Sequence, residues 1–260
     1  MSTHPPRVAK DYPWLPTEWS GKPIVDIINP YASGPPWWLA GGMAQSGVLA
    51  AYQPKGAANA TAARINVANP GSNDIALTGG NTPTWTAANG WVFDKTQSQS
   101  YKTPFSAASL GLTFAILIRY SGQDASTTGN YITGVQGTTL QSYSIYLIAR
   151  AAAAYSVAGN GTVATPYGAS TSGVLGLRVS VVTLYPLVKK VELWMNGSKY
   201  SDAAESYSSP RNDSLGIGAS FNVNNLSYVN FYTGKIQAIL YTTGMTDDQM
   251  SKCSAAMAEL

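Results

Sequence analysis

The sequence predicts an all-β protein: two antiparallel sheets packed as a sandwich, preceded by an extended N-terminal arm and closed by one short helix. Three observations lead there. From about residue 59, short alternating apolar runs are separated by Gly, Asn, Ser and Thr turns. Asn196-Gly197, between two such runs, is the strongest short-range signal for a hairpin, because both residues tolerate positive φ. Proline and tryptophan are concentrated instead at the start of the chain.

Residues 1–58 read as the arm. Prolines 5, 6, 13, 16, 23, 30, 35, 36 and 54 remove backbone donors and fix φ, which excludes helices and central strands. Trp14, Trp19, Trp37 and Trp38 lie here, four of the seven tryptophans. An unattached tail seldom carries so many large rings. They are the candidate anchors, either on the chain's own sandwich or on a partner protein, and closed homo-oligomers, a dimer or trimer, are the default arrangement.

Residues 59–260 read as the sandwich. Thr113 to Tyr120 alternates with Phe114, Ile116 and Ile118 on one face. Ser142 to Ala149 places Tyr143, Ile145 and Leu147 together, and Ala152 to Ala158 follows as a weaker strand. Leu177 to Leu184, Val191 to Met195, Ser214 to Ala219 and Gly234 to Tyr241 complete the runs. Ser121 to Asn130, Gly159 to Ser172, Ser208 to Asp213 and Asn222 to Asn230 read as loops. At 246–260 the period changes. Thr246 and Gln249 fit a capping box, Met245 and Met250 a hydrophobic staple, and Asp247 and Asp248 the positive end of a helix dipole. Met250, Cys253 and Met257 share the buried face, with Ser254 interrupting it.

Composition narrows the function. Only 11% of the 260 residues are charged, against roughly 25% in an average soluble protein, and the net charge is +3. Lys189-Lys190 is the sole basic doublet, so no footprint for nucleic acid exists. No apolar run approaches the ~20 residues of a membrane span. The first residues lack the pattern of a secretory signal, which predicts synthesis in a cytoplasm without export by that route. One cysteine excludes an internal disulfide, and one histidine, His4, excludes a Ser-His-Asp triad or a multi-histidine metal site.

Paired carboxylates would be needed for glycoside hydrolysis, about 5–5.5 Å apart in retaining enzymes. No E-x-D-x-x-E pattern is present; Glu192 and Asp202 read as solvated surface charges, and no catalytic residue is assigned. Asn212-Asp213 and Asn222, Asn224 and Asn225 could offer oxygens to Ca²⁺, but turn geometry explains them better. No metal or other cofactor is predicted. A glycan site would present loop aromatics beside amides. Tyr167, Tyr207 and Tyr228, with Asn222 and Asn224, are the candidates, and Phe221 and Tyr232 fit the same description loosely.

Several of these pieces carry a resemblance. Trp85-x5-Trp91-Val92-Phe93-Asp94, then Val191 to Ser198 with its Asn-Gly turn, then Gly234 to Tyr241 followed by Met245 to Gln249, resemble the opening strand, hairpin and closing strand and helix of concanavalin A-like and laminin-G-like domains. Ala50 to Ala58 with Val67 to Gly71 is similar to laminin-G-like proteins of tailed bacteriophages. The resemblance implies a jelly-roll sandwich, adhesion or carbohydrate binding, and in some members a bound Ca²⁺. It also implies a non-enzymatic virion accessory at the virion surface: a head decoration, head fibre or tail appendage, docked on other virion proteins through the arm.

Overall fold

Phe114–Ser121 is apolar at nearly every position and is buried at all but two, which is how a strand reads when both faces of its sheet are covered. It lies in the middle of one of two eight-stranded sheets. The computed structural model describes residues 35–77, 81–122, 131–136, 145–149, 154–158, 161–164, 172–184, 187–205, 212–222 and 226–260. Its strands, in chain order, begin with β1 (Val48–Tyr52), β2 (Thr84–Thr86), β3 (Gly90–Phe93) and β4 (Tyr101–Ser106). Next come β5 (Phe114–Ser121), β6 (Tyr131–Gln136), β7 (Ile145–Ala149), β8 (Ala154–Ala158) and β9 (Gly161–Ala164). The third group is β10 (Ser172–Leu184), β11 (Leu187–Met195), β12 (Ser198–Glu205) and β13 (Ser214–Ile217). The chain closes with β14 (Ser220–Asn222), β15 (Ser227–Val229), β16 (Gly234–Thr242) and the helix α1 (Asp247–Ala258).

The first sheet runs β12-β11-β10-β5-β16-β3-β2, with β1 also on β16. The second runs β15-β14-β6-β7-β8-β9, with β13 between β4 and β6. Every pairing is antiparallel except β14 with β6. Between the sheets lies one core that includes Trp91, Phe114, Ile116, Ile118, Leu177 and Tyr241. The predicted two-sheet sandwich is the architecture found.

The Asn196-Gly197 turn forms as expected, with φ of 48° and 80°. The Asn196 side chain adds a contact that the pattern does not announce: its Oδ1 accepts the Val174 N–H at 2.9 Å. The helix also begins as predicted. Thr246 Oγ1 accepts the Gln249 N–H at 3.2 Å, and Gln249 Oε1 accepts the Thr246 N–H at 2.9 Å. Met250, Cys253, Ser254 and Met257 are buried. Ser254, which should have weakened the stripe, is small enough to be covered with it.

Helix α1 lies on the outer face of the first sheet against β10 and β5. Two arginines from those strands hold its ends. Arg178 Nη1 donates to the Met245 carbonyl at 3.1 Å, and Arg119 Nη1 to that of Met257 at 2.8 Å. This second covered face explains why Leu117 and Leu240 are buried although they point away from the main core.

Contacts divide the chain into residues 1–37 and a sandwich unit from Trp38 to Leu260. Within that unit β1 pairs with β16, and Ala50, Ala51 and Tyr52 are fully buried. The sheet thus begins at Val48, inside the segment whose prolines suggested an arm to residue 58. The reason is local: 37–53 is free of proline, and Val48–Tyr52 is an ordinary apolar strand. Trp37 and Trp38 are buried within the single chain. Trp14 and Trp19 lie outside the described residues.

Candidate binding shelf

The outer face of the second sheet is built by alternation. In β4, Tyr101, Thr103 and Phe105 are buried, which turns Lys102 outward. In β13, Leu215 and Ile217 enter the core, which turns Gly216 outward. Gly216 pairs with Lys102 on one side and with Gly134 of β6 on the other. Two adjacent glycines therefore make a floor with no side chains, and that floor is covered: both are buried, and a Cβ on Gly216 would lie 2.4 Å from the Ala219 carbonyl oxygen.

The wall beside that floor comes from a hairpin. After β13 the chain turns at Gly218, whose φ is 76° and whose missing side chain leaves room for the Phe93 ring; a Cβ there would lie 2.1 Å from it. The Gly218 N–H donates to the Ile132 carbonyl at 2.7 Å. This turn lets β14 run parallel to the same strand, β6, that β13 meets antiparallel. β14 and β15 then pair Phe221 with Tyr228 and Asn222 with Ser227.

The Phe221 and Tyr228 rings meet edge to face, with centroids 5.3 Å apart and planes at 63°. Tyr228 leans over the floor, since a Cβ on Gly216 would come 3.3 Å from its Cε1. Its hydroxyl is shielded from solvent, has no hydrogen-bond partner among the described residues, and burial pushes its pKa up to about 12. Lys102 Nζ stands 5.7 Å from the Phe221 ring centroid, within the range of a cation–π contact. The result is a pair of half-buried rings packed over covered glycines, with a cation at their edge.

Of the glycan candidates read from sequence, Asn222 and Tyr228 fall on the paired strands β14 and β15, but Asn222 is opposite Ser227 and points to the face away from the Phe221–Tyr228 pair. Segment 222–230, read as a loop, is in part the strand β15, as Gly161–Ala164 is β9. Tyr167, Tyr207 and Asn224 lie outside the described residues. Tyr232 is not a surface aromatic: it is fully buried, 6.1 Å from Phe93, and belongs to the core. Lys102, Gly134 and Gly216 were not singled out from the sequence. Only the alternation of Tyr101, Thr103 and Phe105 around Lys102 could have pointed to one of them.

A charged cluster on the opposite face corrects a second expectation. Glu192, read as solvated, is 2% exposed. It sits in register with Arg178 of β10 and Asp202 of β12. Arg178 Nε pairs with Glu192, and Arg178 Nη2 reaches Asp247 of α1 at 2.5 Å. Lys190 and Lys199 bridge Glu192, at 3.7 and 3.8 Å, to Asp202, at 2.8 and 3.4 Å. The Arg178 guanidinium also covers the Trp194 ring at 5.2 Å. The two carboxylates are thus tied to cations, and the cluster fastens strands and helix together.

Among the described residues no three His, Cys, Asp or Glu side chains converge.

No family model matches the chain, and no curated protein matches it in sequence. Solved structures do resemble it. The carbohydrate-binding module CBM40 of the Ruminococcus gnavus IT-sialidase, bound to α2,3-sialyllactose, is 13% identical; the match covers 59% of this chain and 92% of that one, with a TM-score of 0.45. The NanB sialidase of Streptococcus pneumoniae is 11% identical over 63% of this chain and 27% of its own, with a TM-score of 0.46. The binding domain of botulinum neurotoxin serotype D is 8% identical over 80% of this chain and 50% of its own, with a TM-score of 0.52. At such identities the likeness is one of architecture, and it agrees with the strand order: the chain is a two-sheet jelly-roll sandwich with a short C-terminal helix.

Proposed function

We propose that this protein is a non-catalytic carbohydrate-binding module that takes a glycan on the shelf of the second sheet. The observation that carries the reading is the half-buried Phe221–Tyr228 ring pair on the paired strands β14 and β15, with Lys102 beside it. A sugar ring offers a flat C–H face and an equatorial belt of hydroxyls. The half-buried faces of the two rings suit its apolar side, and the polar rim around them suits its hydroxyls. Sites of this kind bind by a few well-placed contacts on a rigid scaffold, and a strand-built shelf is more rigid than a loop.

No virion protein stands among the structures named above, and the decoration and appendage roles rest on the resemblance alone. They are compatible with a glycan-binding shelf, since an appendage can be an adhesin.

The test is a glycan array probed with the full chain and with Tyr228→Ala. At least one glycan retained by the wild type and lost by the variant is expected. An array with no retained glycan, or retention unchanged by Tyr228→Ala and Phe221→Ala together, counts against the reading.

A further inference from the structure

We infer that the glycan site takes two or more linked sugars, and that Leu226, at the tip of the hairpin that carries the ring pair, is the contact for the second sugar. The inference rests on the glycan-binding reading above and deepens it, by naming the ligand class as an oligosaccharide and assigning a second subsite.

Leu226 is an outlier in two independent respects. Its φ is 52°, in the left-handed region where a branched side chain crowds the backbone. The other described non-glycine residues with positive φ are Asn73, Ser98, Asn196 and Asn230. Asparagine tolerates that region, and Ser98 closes a short helical turn, its N–H donating to the Lys95 carbonyl at 3.1 Å. Neither reason applies to Leu226. Its side chain is also 74% exposed, the highest value among the large apolar residues described. Leu77, Leu112, Val182 and Tyr200 are exposed as well, but none of them has a positive φ, and single exposed apolar residues are normal. Among the described residues, only Leu226 combines a costly backbone with an uncovered apolar side chain.

That combination does nothing for the chain itself. Burial can offset the cost of a left-handed leucine, but this side chain buries little. A contact from outside the chain can offset it instead, and the location says which. Leu226 directly precedes β15, and two residues on stands Tyr228, paired with Phe221 of β14. Two residues of chain span at most about 7 Å, so Leu226 lies within that reach of Tyr228. One sugar seated on the half-buried rings of Phe221 and Tyr228 leaves Leu226 uncovered. A second sugar, linked to the first, reaches it and lays its C–H face on the leucine methyls. The hydroxyls of both sugars stay in water.

The experiment uses an array of glucose, galactose, mannose and N-acetylglucosamine, each as monosaccharide, disaccharide and tetrasaccharide, probed with the full chain. At least one series is expected to be retained about tenfold or more strongly as the disaccharide than as the monosaccharide. Leu226→Ala should bring the disaccharide down to the level of the monosaccharide and leave the melting temperature unchanged. Leu226→Asn should do the same while raising the melting temperature by about 2–4 °C, because asparagine relieves the left-handed strain. Leu226→Met should keep most of the preference. Equal retention of monosaccharides and disaccharides, or a preference that survives Leu226→Ala, overturns this inference and leaves the glycan reading standing. A melting temperature lowered by Leu226→Asn shows that the leucine serves the fold, and also overturns it. So does sedimentation of the wild type with phosphatidylcholine vesicles that Leu226→Ala abolishes, which assigns the tip to a membrane. No retention on any spot overturns both readings.

Discussion

The Oδ1 of Asn66 accepts the backbone N–H of Ala51 at 2.9 Å, and both residues are fully buried. The outer edge of β1 is thereby closed in part by a side-chain amide. The same oxygen accepts the Ala68 N–H at 3.2 Å, and Nδ2 donates to the Ser72 carbonyl at 2.8 Å. One asparagine ties the loop after β1 to the strand before it. Asn66→Ala leaves two N–H groups and a carbonyl without their partner, and should cost about 2–4 kcal/mol. Urea unfolding with an unchanged m-value checks it; a loss under about 1 kcal/mol would show that the loop re-pairs elsewhere.

The Arg178–Glu192 pair should behave as a coupled unit. Arg178→Met alone leaves the buried Glu192 carboxylate only its longer contacts with Lys190 and Lys199 among the described residues and frees both the Met245 carbonyl and Asp247, for an expected loss of about 2–4 kcal/mol. Arg178→Met combined with Glu192→Met should recover most of that loss, because no charge is left buried alone. A double-mutant cycle in guanidinium gives the coupling, and strictly additive losses would refute it.

Asn196 occupies the left-handed region at φ 48° and also bonds Val174 across the hairpin. Asn196→Ala should lose both advantages, at about 1–2 kcal/mol, whereas Asn196→Gly keeps the backbone freedom and should lose less. Thermal unfolding of the two variants side by side distinguishes them, and equal losses would assign the whole effect to the side-chain bond.

Cys253 is fully buried beneath the helix, where burial pushes its thiol up to about 12 and its Sγ donates to the Ala40 carbonyl at 3.3 Å. At pH 8 it should react with a thiol reagent only as fast as the helix detaches. Full labelling within the mixing time of native protein would contradict the helix packing. Arg119→Ala, which releases the last turn, should speed the labelling.

The parts of the fold legible in the sequence are those whose signals are local. The β10–β11–β12 meander announces itself through alternation and the Asn196-Gly197 turn, and α1 through Thr246 and Gln249. β5 and β16 are apolar runs that need no partner to be recognised. β1 escaped because the prolines around it outweighed five apolar residues. β4, which contains Pro104, was missed for a related reason; it is exposed there and pairs on one side, with β13, so proline does no harm.

The shelf divides in the same way. Phe221 and Tyr228 are close in sequence and lie in a segment whose aromatics and amides draw attention. Lys102 meets them only because β13 lies beside β4, and that pairing joins segments more than a hundred residues apart, as the Thr103 hydroxyl bonded to the Leu215 N–H records. A glycine floor has no sequence signature, since Gly134 and Gly216 look like any turn residue until their strands are side by side.

Where the chain joins the sandwich also gives the molecule an orientation. Ala40 touches Cys253, and Gly41, at φ 71°, lies so near α1 that a Cβ would come 2.9 Å from the Gln249 Cα. The first and last pieces of the folded unit therefore share the helix side of the first sheet, while Lys102, Phe221 and Tyr228 occupy the back of the second. A bead or dye attached after Leu260 would therefore leave from the helix side of the first sheet, on the face away from Lys102, Phe221 and Tyr228.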